Sequence, residues 1–258
     1  MKHISSRDNR FIKELRRLSQ DSTAYRKSGR VWVEGDHLCR AALTRGMRPV
    51  QAVFAESLWA VAAQDWQDVT NDLYTVPDAV FDTLSSLESP ARMGFVLTLP
   101  EQTKLDPTAS TVVLDRLQDA GNVGAILRSA SAFGFKQILA LKGTAALWSP
   151  KVLRSGMGAH FGLNLIESLA VQDLQELRLP ILTTSSHDGP YLHEWVAQRQ
   201  LPARCAWVLG HEGQGVSEAL HQLASVPIRI AQPGGEESLN VAAAAAICLH
   251  ASATCASG

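Results

Sequence analysis

The stretch from Thr111 to Phe135 limits most strongly what the second half of this chain can fold into. It opens with the apolar run Thr111–Leu114, typical of a buried strand, and polar and glycine residues at 119–122 interrupt that run. Small and apolar residues then recur at helical spacing as far as Gly134, which occupies the position of a C-terminal stop. The stretch therefore predicts a strand, a tight loop and a helix, with Asn122 as the helix N-cap.

Arg128 lies about two turns into this predicted helix. The residues three and four positions before it, Ala125 and Gly124, share its face and carry small side chains rather than acids. An arginine in such a place either forms a salt bridge with another element or is free to meet an anionic ligand. The spacing alone leaves both interpretations open.

Length and charge limit the number of domains and the kind of partner. The chain has 258 residues, 46% of them apolar, which is enough for two ordinary domains with buried cores. The net charge of −1 argues against a uniformly basic protein, but residues 1–48 contain 12 Lys and Arg against 5 Asp and Glu, a net of +7, and the remainder carries −8. A local basic patch predicts contact with a polyanion better than total charge does.

The cysteines and the apolar runs predict a cytoplasmic protein without a metal. None of the cysteines forms a C-x-x-C pair or has a histidine at ligand spacing, so neither a zinc site nor a disulfide framework is indicated. They are Cys39, Cys205, Cys248 and Cys255. The polar N-terminus does not resemble a signal peptide, and the longest apolar run, Val241 to Leu249, is far too short to span a membrane. We expect a reducing, cytoplasmic compartment.

The N-terminal part carries the basic patch. Ser5–Leu18 indicates a helix with apolar residues on one side and cationic residues elsewhere, and the positive charge continues to the first predicted strand. The surface is either a solvated basic face or an RNA phosphate-contacting one, and the continuity of the charge favours the second. The candidate RNA-binding residues are Arg7, Arg10, Lys13, Arg16, Arg17, Arg26, Lys27 and Arg30.

Strands and helices alternate from residue 31 to residue 99, which predicts a small, largely parallel α/β domain. The predicted strands are Val31–Val33, Val50–Ala55, Leu73–Val76 and Gly94–Leu99, and the predicted helices are Gly35–Arg45, Ser57–Gln67 and Pro77–Ser86. Residues 100–110 have the proline-containing, polar composition of a linker. We therefore predict one domain at 1–105 and another at 106–258.

Two later stretches also combine a strand, a glycine-rich turn and a helix. Val208–Ser217 contains three glycines within six residues after its strand, which leaves backbone N–H groups accessible to a ligand, although a plain strand-to-helix turn is the alternative. Ile228–Val241 predicts a strand, a Pro-Gly-Gly turn at 233–235 and an N-cap at Ser238. H-E-x-x-H and G-x-S-x-G motifs are absent from the sequence, so hydrolase chemistry ranks low.

In order and separation, these three stretches resemble the signature motifs of the SpoU (TrmH-like) family of RNA ribose 2′-O-methyltransferases, within the SPOUT superfamily. The matching residues are Asn122, Gly124 and Arg128 in the first, Gly210, Glu212 and Gly215 in the second, and Ser238, Leu239 and Asn240 in the third. Ala120 and Ala231 stand where the family often has proline, and His211 stands where smaller polar residues are frequent. These departures concern loop rigidity more than chemistry.

The resemblance implies more about the fold than the pattern does. Strand–helix alternation alone predicts an open, doubly wound sheet. The resemblance implies instead a C-terminal knotted (trefoil) α/β methyltransferase domain, a small N-terminal α/β RNA-binding domain resembling a ribosomal L30e-like protein, and a homodimer. It also implies S-adenosylmethionine as the cofactor. The implied cofactor-binding residues are Leu209, Gly210, Gly215, Ile230 and Leu239, with Thr183 or Ser185 at the rim.

The implied reaction is methylation of a ribose 2′-hydroxyl in structured RNA, and the separate N-terminal domain favours 23S ribosomal RNA. The implied catalytic residues are Arg128, Asn122, Glu212, Ser238 and Asn240. Because a guanidinium is essentially never neutral, we expect Arg128 to stabilise the developing alkoxide and the adjacent phosphate, while solvent or Glu212 removes the proton. The alternatives are a transfer RNA ribose methyltransferase, an enzyme that methylates a base, and a non-catalytic RNA-binding module.

Overall fold

The computed structural model describes residues 1–100, 104–223, 226–234 and 238–255. By its internal contacts the chain divides into two compact units, one of residues 1–101 and 148–161 and the other of 102–147 and 162–258. Residues 101–103 of the predicted linker and Gly235 of the predicted turn lie outside the described residues. In the described ranges, no helix combines the length and the apolar character needed to cross a membrane.

Strands and helices alternate through both units. Up to residue 100 they are β1 (Lys2–His3), α1 (Arg10–Gln20), α2 (Ala24–Ser28), β2 (Arg30–Glu34), α3 (Asp36–Thr44), β3 (Gln51–Ala55), α4 (Glu56–Trp66), β4 (Leu73–Val76), α5 (Asp78–Phe81) and β5 (Met93–Thr98). From residue 104 they are β6 (Thr111–Leu114), α6 (Ala120–Ala132), β7 (Gln137–Leu141), α7 (Pro150–Gly156), β8 (Asn164–Leu169), β9 (Ile181–Ser185), α8 (Leu192–Ala197), β10 (Ala206–Leu209), α9 (Glu218–Leu223), β11 (Val226–Arg229) and α10 (Val241–Cys255). Short 3-10 helices cover Ala159–Gly162 and Val171–Glu176.

The sheet of the first unit has five strands in the order β1-β4-β3-β5-β2. β4 is parallel to β1 and β3, but β5 is antiparallel to both β3 and β2. The expectation of a largely parallel sheet is therefore wrong for β5. The helix predicted at 77–86 shrinks to the single turn of α5, so no long helix crosses back over the sheet, and β5 begins at the edge where β4 ends. Ile12 and Leu15 of α1 belong to the buried core on this sheet.

The sheet of the second unit is parallel throughout its six described strands, in the order β11-β9-β10-β6-β7-β8. The predicted parallel α/β class is confirmed for this unit. Parallel strands end at a common edge, so the loops that follow β9, β10 and β11 leave the sheet side by side. Buried residues such as Val113, Leu139 and Val208 form the core beneath that edge. The two glycine-rich stretches of the sequence meet there.

Helix α6 begins three residues earlier than the sequence predicts. Asp119, not Asn122, is the N-cap, and its carboxylate accepts a hydrogen bond from the Asn122 backbone N–H at 2.7 Å. Asp is as good an N-cap as Asn, and only the fold decides between them. Asn122 consequently lies within the first turn, where its side chain is free for other contacts. The predicted stop is confirmed, because Gly134 has a φ of +80° directly after the last turn.

Helix α10 begins at Val241, so the prediction of Ser238 as its N-cap is wrong. The cap is Asn240, whose side-chain oxygen accepts hydrogen bonds from the backbone N–H groups of Ala242 and Ala243 at 2.9 and 3.2 Å. Ser238 therefore lies in the segment before the helix rather than in its cap. That segment is available to line a site.

Gln137 provides a test of what holds the second unit together. Its fully buried amide accepts from the Asp106 backbone N–H and from Asn164 Nδ2, and donates to the Asp106 carbonyl and to Thr111 Oγ1. We expect Gln137→Met, similar in volume, to lower the free energy of unfolding by about 1–3 kcal/mol, because it leaves buried partners unsatisfied. Urea unfolding measures this loss. The exposed Gln67→Met is the control, and equal stability of the two variants would contradict the prediction.

Candidate active site

A cleft of about 860 Å³ opens at the carboxyl ends of the strands of the second unit. Its lining comes from residues 184–188 after β9, 210–216 after β10, Ile230 and Gln232 after β11, and 238–241 before α10. This edge is where parallel α/β sheets bind ligands. Both glycine-rich stretches that the sequence singles out contribute to the cleft.

The loop after β10 is a tight turn that depends on Gly210. The backbones of His211 and Gly215 exchange two hydrogen bonds, and His211 Nδ1 accepts from the N–H groups of Gly213 and Gln214 at 3.0 and 3.2 Å. A Cβ at Gly210 would overlap the backbone of Gly215 and the next residue. Only glycine therefore fits at position 210 without moving the loop.

A buried carboxylate joins this loop to the end of β6. Asp115, only 1% exposed, accepts two hydrogen bonds from Arg116 and a third, at 2.7 Å, from the Ser217 backbone N–H. Arg116 also donates to the side chain of Gln214 at 3.0 Å, and it has a φ of +59°, in the left-handed region. Sequence reasoning missed these residues. The one available signal was an acid directly after a buried strand, next to a basic residue.

We expect Asp115→Asn to loosen the loop after β10. The amide weakens the ion pair with Arg116 and offers donors where Ser217 and Arg116 need acceptors, and a hydrogen bond to a charged group contributes about 1.5–3 kcal/mol. Hydrogen exchange at the Ser217 amide should therefore accelerate by about tenfold or more. Asp68→Asn, at an exposed position, is the control. Unchanged exchange at Ser217 would show that Asp115 does not hold the loop.

Glu212, Asn122 and Asn240 form one hydrogen-bonded chain. The Glu212 carboxylate accepts from the backbone N–H groups of Gln118 and Asp119 at 3.3 and 3.2 Å and from Asn122 Nδ2 at 3.3 Å. Asn122 Oδ1 in turn accepts from Asn240 Nδ2 at 3.0 Å. The chain brings together one residue from each of the three stretches that the sequence marked, although up to 118 positions separate them.

The environment of Glu212 keeps it ionised. Its partial burial would raise the pKa of the carboxyl, but the hydrogen bonds from the main chain and from the Asn122 amide outweigh burial and hold the pKa below its usual value. A carboxylate with a lowered pKa and several donors is a weak proton acceptor. Its geometry suits it to fixing the orientation of Asn122.

Arg128 lies two turns along α6 and is exposed. Among the described residues, it has no hydrogen-bond or ion-pair partner, and it does not line the cleft. Of the two interpretations that the sequence left open, an internal salt bridge is therefore absent from the described part of the chain. Arg128 is oriented outward and can meet an anionic ligand.

The predicted cofactor residues separate into two groups. Gly210, Gly215, Ile230 and Leu239 line the cleft, as does Ser185. Thr183 and Leu209 do not: both are fully buried within their strands, and the Leu209 carbonyl accepts from the Asp115 N–H. Leu209 is the last residue of β10, and Thr183 lies two residues before the end of β9, so both side chains lie within the sheet rather than in the loops that line the cleft.

The predicted RNA-binding residues also differ in how far their side chains are exposed to solvent. Most are exposed, namely Arg7, Arg10, Lys13, Arg17, Arg26 and Lys27. Arg16 is half-buried and donates to Thr83 Oγ1 and to the Arg7 carbonyl, and half-buried Arg30 approaches Glu14 at 4.0 Å. Helix α1 begins after the N-cap Asn9 rather than near Ser5. Arg16 is therefore held within the fold, and the exposed cations form the accessible surface.

Clusters of three or more potential metal-binding side chains are absent from the described residues. The cysteines are in the reduced form, and three of them are buried. Burial raises the pKa of Cys205 to about 11 and that of Cys248 to about 12, so both thiols are protonated and unreactive at neutral pH.

Comparison with known proteins gives consistent results over both parts of the chain. The family model described as the SpoU rRNA Methylase family matches residues 109–250, and an MRM3-like substrate binding domain matches residues 9–93. The Bacillus subtilis 23S rRNA (guanosine(2553)-2′-O)-methyltransferase RlmP is 28% identical over 259 residues, which cover 97% of this chain and 98% of that protein.

Solved structures are similar over nearly the whole chain. An RNA 2′-O ribose methyltransferase is 29% identical, with a TM-score of 0.78 and coverage of 97% of both chains. The SpoU methyltransferase AviRb of Streptomyces viridochromogenes, solved with S-adenosylmethionine, has a TM-score of 0.84 at 19% identity and covers 95% of this chain and 97% of its own. At this low identity, the similarity to AviRb concerns the fold alone.

Proposed function

Because the chain belongs to the SpoU rRNA Methylase family, we propose that it is an enzyme that transfers a methyl group from S-adenosylmethionine to a ribose 2′-hydroxyl of 23S ribosomal RNA. The observation that carries the proposal is the hydrogen-bonded chain of Glu212, Asn122 and Asn240, which joins the three motif stretches beside the cleft. The 23S rRNA ribose methyltransferase of Bacillus subtilis, similar over nearly its whole length, supports the substrate.

The cleft suits S-adenosylmethionine in size and in its polar groups. Small-molecule sites typically have volumes of about 300–1,000 Å³, and this cleft lies within that range. The side-chain oxygen of Gln232 is buried without a hydrogen-bond partner among the described residues, so it can accept from an amino group of a ligand. Gly210, Gly215, Ile230 and Leu239 would hold the cofactor, with Ser185 at the rim. When bound, S-adenosylmethionine supplies an electrophilic methyl group on a sulfonium.

In this proposal Arg128 activates the nucleophile. A ribose hydroxyl attacks poorly until its proton leaves, so the site must stabilise the developing oxyanion. The Arg128 guanidinium is exposed and unpaired in the described part of the chain, and its planar donors can contact the alkoxide and an adjacent phosphate together. Because a guanidinium stays charged at all accessible pH values, Arg128 acts as an electrostatic stabiliser rather than as a base.

Glu212, Asn122, Asn240 and Ser238 have supporting roles in the same proposal. Glu212 positions the Asn122 amide, and its lowered pKa weakens it as a base, so the hydroxyl proton leaves to solvent or, less readily than with an ordinary carboxylate in its place, to Glu212. Asn122 and Asn240 orient the ribose and are themselves fixed by their mutual hydrogen bond. The exposed Ser238 lines the cleft beside them and contributes a hydroxyl to the ribose or to its phosphate.

We further propose that residues 1–105 form the substrate RNA-binding domain and residues 106–258 the methyltransferase domain. The matched MRM3-like substrate binding domain and the exposed cations at 7–27 support the first assignment. The resemblance to a ribosomal L30e-like protein, the trefoil knot and the cytoplasmic location also belong to this proposal. The linker composition at 100–110 supports the boundary.

A homodimer completes the proposal. Residues Val241–Leu249 of helix α10 are all apolar, yet Ala243 and Ile247 are exposed, with Ile247 at 42%, and such a surface normally packs against another one. A second copy of the chain is the partner that the family implies. Sedimentation analysis should give a dimer for the wild type and a monomer for Ile247→Glu; a monomeric wild type would contradict the proposal.

Removing exposed cations from the N-terminal domain tests its role. We expect the triple variant Arg10→Gln, Arg17→Gln and Lys27→Gln to bind 23S rRNA more weakly and with a shallower salt dependence, because each lost phosphate contact lowers the slope by about 0.7–0.9. Filter binding across a salt series measures the slope. The triple variant Lys136→Gln, Arg178→Gln and Arg204→Gln removes equal charge from exposed positions outside residues 1–105 as a control. Equal slopes for the two variants would contradict the assignment.

The substrate is tested by offering unmodified 23S rRNA and transfer RNA separately to the wild-type enzyme with S-adenosylmethionine, followed by mass analysis of the nucleosides. The proposal predicts a ribose-methylated nucleoside from 23S rRNA. The same product from transfer RNA would support the transfer RNA enzyme instead. A methylated base would identify a different nucleophile, and binding without any transfer would indicate a non-catalytic module.

A further inference from the structure

Tyr191 and Arg229 form a stacked pair next to the cleft. The two residues form a parallel bridge, in which the Arg229 N–H donates to the Pro190 carbonyl at 3.0 Å. The guanidinium carbon lies 4.2 Å from the centroid of the Tyr191 ring, and Arg229 Nε donates to the Gly189 carbonyl at 2.7 Å. Two separate contacts therefore fix the orientation of the guanidinium.

This guanidinium is held but not neutralised. Among the described residues, no carboxylate forms an ion pair with Arg229, and neither its Nη atoms nor the Tyr191 hydroxyl has a hydrogen-bond partner. Both side chains are half-exposed. A cation that serves only the fold is usually compensated by an acid, whereas an oriented and uncompensated one can bind an anionic, aromatic ligand.

The pair neighbours two cleft-lining segments along the chain. Arg229 directly precedes Ile230, and Tyr191 lies three positions after Asp188, the last residue of the cleft-lining segment 184–188. His193 extends the aromatic surface, with its ring 5.5 Å from that of Tyr191 and inclined by 31°. Proteins that recognise RNA by sequence bind unpaired bases and stack them on tyrosine and histidine rings and on arginine planes.

We propose that Tyr191 and Arg229 are a stacking platform for an unpaired nucleobase of the substrate RNA, with the Arg229 donors directed to its phosphate or base edge. The proposal rests on the proposed function and adds a specific RNA contact in the second unit, separate from the basic surface of the N-terminal domain. Base–aromatic stacking is worth about 1–3 kcal/mol per base, so the platform contributes measurably to RNA affinity.

The test compares Tyr191→Leu, which removes the ring, with Tyr191→Phe, which keeps it, and Arg229→Lys, which keeps charge without the plane. The affinity for in vitro transcribed 23S rRNA is measured by filter binding and by the KM for methyl transfer. The affinity for S-adenosylmethionine is measured by calorimetry. We expect about tenfold weaker RNA binding for Tyr191→Leu and Arg229→Lys. Tyr191→Phe should stay within twofold of the wild type, and cofactor affinity should be unchanged in all three.

Two outcomes would overturn the platform. Tyr191→Leu binding RNA as tightly as Tyr191→Phe would exclude stacking, and parallel losses of cofactor affinity and thermal stability would identify the pair as an internal brace. RNA binding is measured without catalysis, so the platform and the proposed function can fail separately. If the wild type binds the transcript but transfers no methyl group, the proposed function fails while the binding comparison still decides on the platform.

Discussion

Arg128→Ala is expected to lower kcat for methyl transfer by about 10²–10³-fold, the usual effect of removing one donor that stabilises a developing oxyanion. Because Arg128 is exposed and has no internal partner among the described residues, the change should alter the free energy of unfolding by less than about 0.5 kcal/mol. Arg128→Ala should therefore lose activity while it keeps the stability of the wild type. Single-turnover methyl transfer and urea unfolding of the same preparation measure both.

Two further variants define what Arg128 contributes. Arg128→Lys keeps the charge but loses the planar, bidentate geometry, so it should recover only a small part of the activity. Arg178→Ala, an exposed arginine of the same unit, should leave kcat unchanged. Near-full activity of Arg128→Lys would contradict bidentate contact, and near-full activity of Arg128→Ala would remove Arg128 from the reaction.

Gly210→Ala is expected to weaken S-adenosylmethionine binding by about 10–100-fold. The added methyl group overlaps the backbone of the loop after β10, which cannot rotate away as a side chain would, and overpacking of this kind costs about 1–3 kcal/mol. The displaced loop carries the residues proposed to hold the cofactor. Calorimetric titration with S-adenosylmethionine measures the loss.

Gly213→Ala provides a matched control within the same loop. A Cβ at position 213 would meet only the His211 ring, at 3.8 Å, which is ordinary van der Waals contact. We expect cofactor binding close to that of the wild type. Thermal unfolding of both variants checks that each is folded at the temperature of the titration. Equal cofactor affinity of Gly210→Ala and Gly213→Ala would contradict the packing argument.

Local patterns were sufficient to predict the elements that build the site. The apolar run ending at Leu114, the helix after it and the glycine-rich turns each have a signature within about twenty residues. The strand and the turn after β10 form as predicted, and the helix forms with an earlier start. The same patterns placed Asn122, Glu212 and Asn240 in one site through the family resemblance, and the structure connects them by hydrogen bonds.

Features that depend on distant contacts could not be predicted in this way. The Asp115–Ser217 hydrogen bond spans 102 positions, and no local pattern encodes it. Asp119 and Asn240 replace the predicted caps because cap residues of similar propensity lie close together in the sequence, and tertiary contacts decide between them. Thr183, predicted at the rim of the cofactor site, is buried within β9 and does not line the cleft, and the position at which a strand ends is not encoded by a local pattern.

The central claim is that the nucleophile is a ribose 2′-hydroxyl. It is tested most directly by transferring a tritiated methyl group from S-adenosylmethionine to unmodified 23S rRNA and digesting the product with alkali. Alkaline cleavage of RNA requires a free 2′-hydroxyl, so a 2′-O-methyl group protects the adjacent phosphodiester. The account predicts label in alkali-resistant dinucleotides with the wild-type enzyme and its loss with Arg128→Ala. Label recovered in mononucleotides would place the methyl group on a base and contradict the account.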